Sequence, residues 1–310
     1  MSGLVSGRAS WIGRFTAWGL VSLGAMAPAT AASTGNGPGF AVLQLDAGAR
    51  ASALGQATTA LVDPLAAAVN PAALVGGRAA ALSHTEWIGD IRHEHASTMW
   101  GRDDGSRYAA EVLLSHTGDL ERRLGPTTQS LGQFGVYEWT AAVAWSRPVG
   151  ENLRAGINAK YARQSIDTES ASGGAVDLGM HYGDGPWWIG AALRNLGSMS
   201  KLGTEATELP LQLRLGGATV RGPLLMSTDV HWTRDVATSF HAGAEFRVRR
   251  ELLLRAGYQS ADTRDVSLGL GVFSGPWLVN YAYVPFTDGL GQAHHISLVW
   301  SAHESSDSDR

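Results

Sequence analysis

Val266-Ser-Leu-Gly-Leu-Gly-Val272 decides the fold. Its even positions are Val, Leu, Leu and Val, and its odd positions are Ser, Gly and Gly, so one face is greasy and the other small or polar. Such a period of two belongs to an extended strand, because successive residues turn about 100° around a helix and would smear the pattern over every face. The same alternation returns in Leu211-Gln-Leu-Arg-Leu215, with Gln212 and Arg214 opposite three leucines. It recurs in Leu153-Arg-Ala-Gly-Ile-Asn-Ala-Lys-Tyr161, with Arg154, Asn158 and Lys160 opposite Leu153, Ile157 and Tyr161, and in Phe240 to Val248, with His241, Glu245 and Arg247 opposite the phenylalanines.

Extended along the chain, the pattern predicts fourteen strands, near 79–86, 91–101, 106–116, 136–147, 152–165, 174–183, 187–195, 210–220, 224–233, 239–248, 251–260, 265–273, 277–285 and 292–301. The stretch Arg92 to Trp100 alternates least cleanly. Most are of the length that crosses a bilayer when tilted. Alternate connections are tight turns, such as Pro148-Val-Gly150, Gly183-Asp-Gly-Pro186, Arg221-Gly-Pro223 and Ser274-Gly-Pro276. The intervening ones are longer on average, notably His116 to Gly135, Ser165 to Gly173 and Asn195 to Leu209. Short turns on one side and longer loops on the other are the mark of an outer-membrane barrel, and an even strand count puts both termini in the periplasm.

Tryptophans give a separate indication. Trp100, Trp145, Trp187, Trp188, Trp277 and Trp300 fall beside the short turns, and Trp87, Trp139 and Trp232 beside the loops. Indole prefers the bilayer–water boundary, where the ring meets hydrocarbon and its N–H finds a polar partner. A soluble β-sandwich also alternates and buries Trp, but it neither sorts connections by parity nor sets Trp at strand ends.

Composition agrees. Of 310 residues, 44% are hydrophobic and 17% charged, with 39 Gly against 11 Pro. Glycine is thus roughly 13% of the chain, against ~7% in ordinary proteins. With no Cys, disulfides and thiolate metal sites are excluded, and a net charge of −4 leaves no basic surplus for nucleic acid. Residues 1–31 read as a secretory signal peptide: Arg8 and Arg14 precede the apolar run Phe15 to Ala27, and Ala29-Thr-Ala31 supplies the cleavage pattern. Gly19, Gly24 and Pro28 leave that run short for a membrane-spanning anchor. The expected organisation is then a hatch over 32–78, a transmembrane barrel over 79–301 and a disordered, acidic periplasmic tail over 302–310.

The hatch segment is small and apolar. Asp63 and Pro64 are expected to start a short Ala-rich helix as N-cap and first helical residue, and Asn70-Pro71 to end it. Asp46-Ala-Gly-Ala-Arg50, Leu54-Gly55, Ala60-Leu-Val-Asp-Pro64 and Asn70-Pro-Ala-Ala-Leu74 resemble the N-terminal signature of the PorV/PorQ family, within the wider FadL-like outer-membrane superfamily. Ser83-His-Thr-Glu-Trp87, Asn280 to Phe286 and His294-His-Ile-Ser-Leu298 resemble its first and last hairpins. The resemblance implies a 14-stranded barrel with a small N-terminal hatch. It also implies that Asn70, with Pro71 and Ala72, pins the plug to the wall, while Arg50 and Asp63 anchor it by charge; an ordinary helix stop is the plainer reading of Asn70-Pro71. Barrels of this kind end on an aromatic residue, whereas this chain continues past Trp300.

Catalytic and metal motifs are weak. His93-Glu-His95 and His294-His295 carry ligand-type side chains without an identifiable third ligand, no Gly-x-Ser-x-Gly elbow occurs, and Gly35-Asn-Gly-Pro-Gly39 lacks a P-loop lysine. No catalytic residue, metal or cofactor is expected. Arg154, Asn158, Lys160, Arg214, Glu245, Arg247 and Arg255 are expected to face the lumen, where such charges brace a narrow barrel more often than they bind solute. Two functions stay open. Following the family, the first is an interaction or shuttle component of type IX secretion, whose partners are a translocon barrel and secreted cargo. The second is passive transport of hydrophobic solutes such as long-chain fatty acids. In both the chain sits in outer-membrane lipid and binds no nucleic acid.

Overall fold

The computed structural model describes residues 40–302 except 45, 124, 127, 128 and 262. The signal peptide, Ser33 to Gly39 and all of the acidic tail beyond Ala302 lie outside the described residues. Fourteen antiparallel strands close into a barrel: β1 (Ala79–Glu86), β2 (Arg92–Gly101), β3 (Arg107–Glu121), β4 (Gln133–Pro148), β5 (Leu153–Ile166), β6 (Glu169–Asp184), β7 (Trp187–Met199), β8 (Gln212–Arg221), β9 (Leu224–Thr233), β10 (Val236–Arg249), β11 (Leu252–Ala261), β12 (Arg264–Ser274), β13 (Trp277–Pro285) and β14 (Gln292–Ser301). Each strand pairs with its neighbours in sequence, and β1 closes on β14 from Ala79↔Ser301 to Glu86↔His294. Closure leaves no unpaired sheet edge inside the bilayer, which hydrocarbon could not satisfy.

The alternation resolves into two faces. Val266, Leu268, Leu270 and Val272 are exposed on the outside, while Ser267 is buried inside the lumen. Among the described residues, 36 large hydrophobic side chains are exposed, most of them on strands. Each would cost about 1.5–3 kcal/mol in water relative to burial, so the outer surface is one made for lipid. No helix among the described residues is long and apolar enough to cross a membrane; the strands do so. Trp100, Trp145, Trp187 and Trp277 point outward near the short turns, with Trp100 stacked on Tyr108 at 5.9 Å. Trp188 and Trp87 instead turn into the lumen, because period two sends each to the face opposite its outward neighbour.

The sheet also runs further than alternation indicates. β3 and β4 extend to Glu121 and from Gln133, past the point where Thr117-Gly-Asp119 is polar on both faces and carries no signal. A bulge between Thr117 and Leu120 marks that transition. Two loop-side connections, after β5 and β9, are two-residue turns rather than long loops.

Residues 40–78 run through the lumen. Their order is a 3-10 turn (Ala41–Gln44), the short helix α1 (Ala49–Ala53) and two further 3-10 turns (Ala66–Ala68 and Pro71–Ala73). The expected Ala-rich helix after Asp63 is only the single turn Ala66–Ala68: Asp63 Oδ1 accepts from Leu65 N at 2.9 Å as a local turn, and Pro64 has no N–H to extend it. Placing a charge on the lipid face tests the barrel directly. Leu268→Arg should lower refolding stability in lipid vesicles by about 2–4 kcal/mol, read from urea titration, while Ser267→Ala on the opposite face should change it far less.

Candidate functional site

The lumen is where polar chemistry collects, and the hatch meets it in three clusters. In the first, Asn70 is fully buried between hatch and wall. Its Oδ1 caps the last 3-10 turn by accepting from Ala72 N at 3.0 Å, and its Nδ2 donates to Thr59 O at 2.9 Å and to the wall carbonyl of Met180 at 3.0 Å. Pro71 and Ala72 follow on the wall itself. Their approach is possible because Gly156 and Gly179, paired across β5 and β6, lack a Cβ: one on Gly156 would stand 2.4 Å from the Pro71 carbonyl carbon, and one on Gly179 would stand 2.1 Å from Asn70 Oδ1.

The second cluster surrounds Asp46. Arg214 Nη1 pairs with Asp46 Oδ1 at 2.5 Å and Arg194 Nη1 with the same oxygen at 3.4 Å, while Thr58 donates to Oδ2. Gln212 accepts from both arginines, and their Nη2 groups donate to the hatch carbonyls of Leu43 and Gln44. Nearby, Asp229 on β9 accepts the backbone N–H groups of Thr58 and Thr59 at 3.0 and 2.9 Å, and His241 bonds Gly55 O at 2.6 Å.

The third cluster lies nearer the short turns. Arg50 of α1 binds Asp63 at 3.0 Å and Glu245 of β10 at 3.1 Å, and donates to Val62 O. Arg255 shares Glu245 at 2.6 Å and passes on to Asn280 at 2.9 Å. Burial opposes the charge on Arg50, but Glu245 and then Asp63 outweigh it and hold the guanidinium above its ordinary pKa.

The other lumen candidates belong to the wall. Lys160 pairs with Asp177 at 2.7 Å and donates to Asn195, and Asn158 joins Glu111, Asp177 and the hatch carbonyl of Ala67. Arg154 donates to Ser146 and to Gly105 O in the first short turn. Arg247 stands apart: it is exposed at the short-turn mouth, and no salt bridge to it occurs among the described residues. The sequence reading passed over Asp46, Arg194, Asp177, Asp229 and Asn280. A signal existed for Asp177, flanked by Val176 and Leu178 in a strand, and for Asp46, a charge inside an apolar hatch.

Of the ligand-type histidines, His93, His95 and His295 line a lumen cavity of about 30 Å³ under Trp87 on the loop side, whereas His294 faces outward against Tyr281. No group of three His, Cys, Asp or Glu side chains among the described residues is placed to hold a metal ion. A second cavity, of about 430 Å³, opens at the short-turn mouth; Leu61, Trp188, Leu225 and Leu253 wall it, with Arg50 and Glu245. The two cavities share no lining residue, and the hatch occupies the space between them.

These features define a class: a 14-strand transmembrane barrel plugged by its own N-terminal segment. Among solved structures, the Pseudomonas putida toluene transporter TodX is similar in fold, with a TM-score of 0.62 at 13% identity over 83% of this chain and 99% of that one. The CymD monoaromatic hydrocarbon channel is similar too, at 0.60 and 13% over 83% and 97%. No protein-family model and no curated protein matches the chain.

Asn70→Ala removes three buried hydrogen bonds at the pin. It should cost roughly 2–4 kcal/mol and lower the temperature at which gel mobility shifts from folded to unfolded. Gly179→Val should do the same through steric displacement; unchanged heat-modifiability in both variants would show that Asn70 and Pro71 do not hold the hatch.

Proposed function

We propose that the chain is an outer-membrane conduit that admits small hydrophobic molecules, with the ends of its barrel sheet facing the periplasm. The observation that carries this reading is the filled lumen. A porin keeps a polar, water-filled channel, whereas here an Ala- and Leu-rich hatch crosses the interior and leaves an apolar-walled cavity at the short-turn mouth. The likeness in fold to proteins described as a toluene transporter and a monoaromatic hydrocarbon channel points the same way. A signal-like N-terminus and the lipid-facing belt supply the location. Outer-membrane lipid is then the surrounding partner and a hydrophobic small molecule the cargo, with no cofactor and no catalytic step.

A second reading follows the PorV/PorQ resemblance: a component of type IX secretion that docks on a translocon barrel or carries secreted cargo. It is favoured by the separation of the two cavities by the hatch, since a docking protein needs no path through its lumen.

Expression in cells lacking other hydrocarbon channels separates the two. Uptake of radiolabelled toluene should rise several-fold over vector alone, and affinity purification from native outer membranes should recover bound apolar molecules. Recovery of a giant β-barrel or surface cargo, with unchanged toluene uptake, would replace the conduit with the secretion role.

A further inference from the structure

The cavity at the short-turn mouth has features that passage alone does not require. At about 430 Å³ it lies within the 300–1,000 Å³ range of small-molecule sites. Its walls are Leu61 and Val62 from the hatch and Trp188, Leu225 and Leu253 from the barrel, all apolar, at the end where a lumen opens to water. Apolar surface kept there is unfavourable unless something apolar covers it.

The charges around it settle the kind of occupant. Two cations, Arg50 and Arg255, and two anions, Asp63 and Glu245, are joined to one another by ion pairs of 3.1 Å or less. They sum to zero, so the inner end of the chamber carries no net charge and a charged solute would meet a lone cation only at the outer edge. Arg247, on the outer edge, is exposed to water. The barrel wall is closed, every strand being paired on both edges. A molecule inside the lumen would have to unzip a ladder to leave sideways, whereas the chamber is already open at this mouth.

We infer that this chamber is an exit-side binding site for an uncharged, apolar small molecule, and that the solute leaves along the barrel axis through the short-turn mouth. Arg50 then acts as the latch at the inner end, since it joins hatch to wall through Asp63 and Glu245. The inference rests on the conduit reading, and its test separates the two.

The purified full-length protein, in lipid nanodiscs, is irradiated with 3-trifluoromethyl-3-phenyldiazirine, an uncharged photoreactive aromatic, and the adducts are mapped by mass spectrometry. Adducts on Leu61, Leu225 or Leu253 should fall at least fivefold with excess toluene and stay unchanged with benzoate, while adducts on the lipid-facing Met226 resist both. In cells, Leu225→Trp, which fills the chamber, should slow toluene uptake several-fold, and Met226→Trp, its outward neighbour, should not. Heat-modifiable mobility confirms that both variants are folded. Absence of toluene-sensitive adducts in the chamber overturns the site. Chamber labelling with normal uptake by Leu225→Trp overturns axial exit. If cells carrying the unaltered protein take up no toluene, the conduit reading fails, and the adduct map still decides whether the chamber binds.

Discussion

The hatch lies against the wall only because the wall yields a Cβ wherever the hatch backbone touches it. Gly156, Gly179, Gly190, Gly243, Gly257 and Gly269 sit on successive and near-successive strands, and at each a Cβ would come within 2.1 to 2.8 Å of a hatch atom. At Gly257 that atom is the backbone N of Gly55, and a Cβ on Gly55 would in turn stand 2.5 Å from the Tyr258 carbonyl oxygen of the same strand. Such distances lie inside van der Waals contact, so even alanine would force the hatch to move. The glycine surplus of the chain is thus in part the imprint of its own plug. These glycines occupy lumen-facing positions of two runs of neighbouring strands, where a barrel without a hatch would place side chains to fill its interior.

Close approach brings desolvation with it, and the polar groups are arranged accordingly. Hatch carbonyls and N–H groups pressed against the wall must find partners there, since an unpaired buried group costs about 1–3 kcal/mol. Asp229 takes two N–H groups, His241 and His181 take carbonyls, and Arg194 and Arg214 take two more. The buried charges come in compensated groups: Asp46 with two arginines, Glu245 and Asp63 with two others, and Lys160 with Asp177. Ion pairs of this kind add little net stability over apolar packing, but breaking one by deleting a partner is expensive. They therefore fix where the hatch sits more than how tightly the barrel folds.

The strands were legible in the sequence because a lipid-facing barrel obeys one simple rule at every residue: outward apolar, inward polar or small. β1, β9, β13 and β14 begin and end where alternation alone puts them. The rule fades above the bilayer, where both faces of Thr117 to Glu121 meet water and pairing continues without a pattern. It also assigns faces better than composition does: Trp188 looks like a belt residue by position, yet its parity with Trp187 sends it inward. The hatch was harder to read, because its conformation is set by contacts some hundred residues or more away in sequence. Nothing local tells that Asn70 reaches Met180 or that Arg50 reaches Glu245. Asp46 was a fair clue, a lone carboxylate in an apolar stretch, but its arginine partners on β7 and β8 could not be chosen from the several available.

The two kinds of hatch attachment differ in how they can move. The glycine contacts and the Asn70 pin are steric and directional, spread over β5, β6, β7, β10, β11 and β12, so loosening them means shifting the whole segment. The Arg50 junction is local: one long, flexible side chain spans from α1 to Asp63 and Glu245, and Glu245 keeps Arg255 when Arg50 swings away. Glu245 would stay paired with Arg255, and Asp63, which would lose its cation, keeps the Leu65 N–H beside a chamber that opens to water. Firm attachment along the length with one side-chain junction at the mouth is the division that the proposed conduit, passing an apolar molecule by a plug that stays in place, would use.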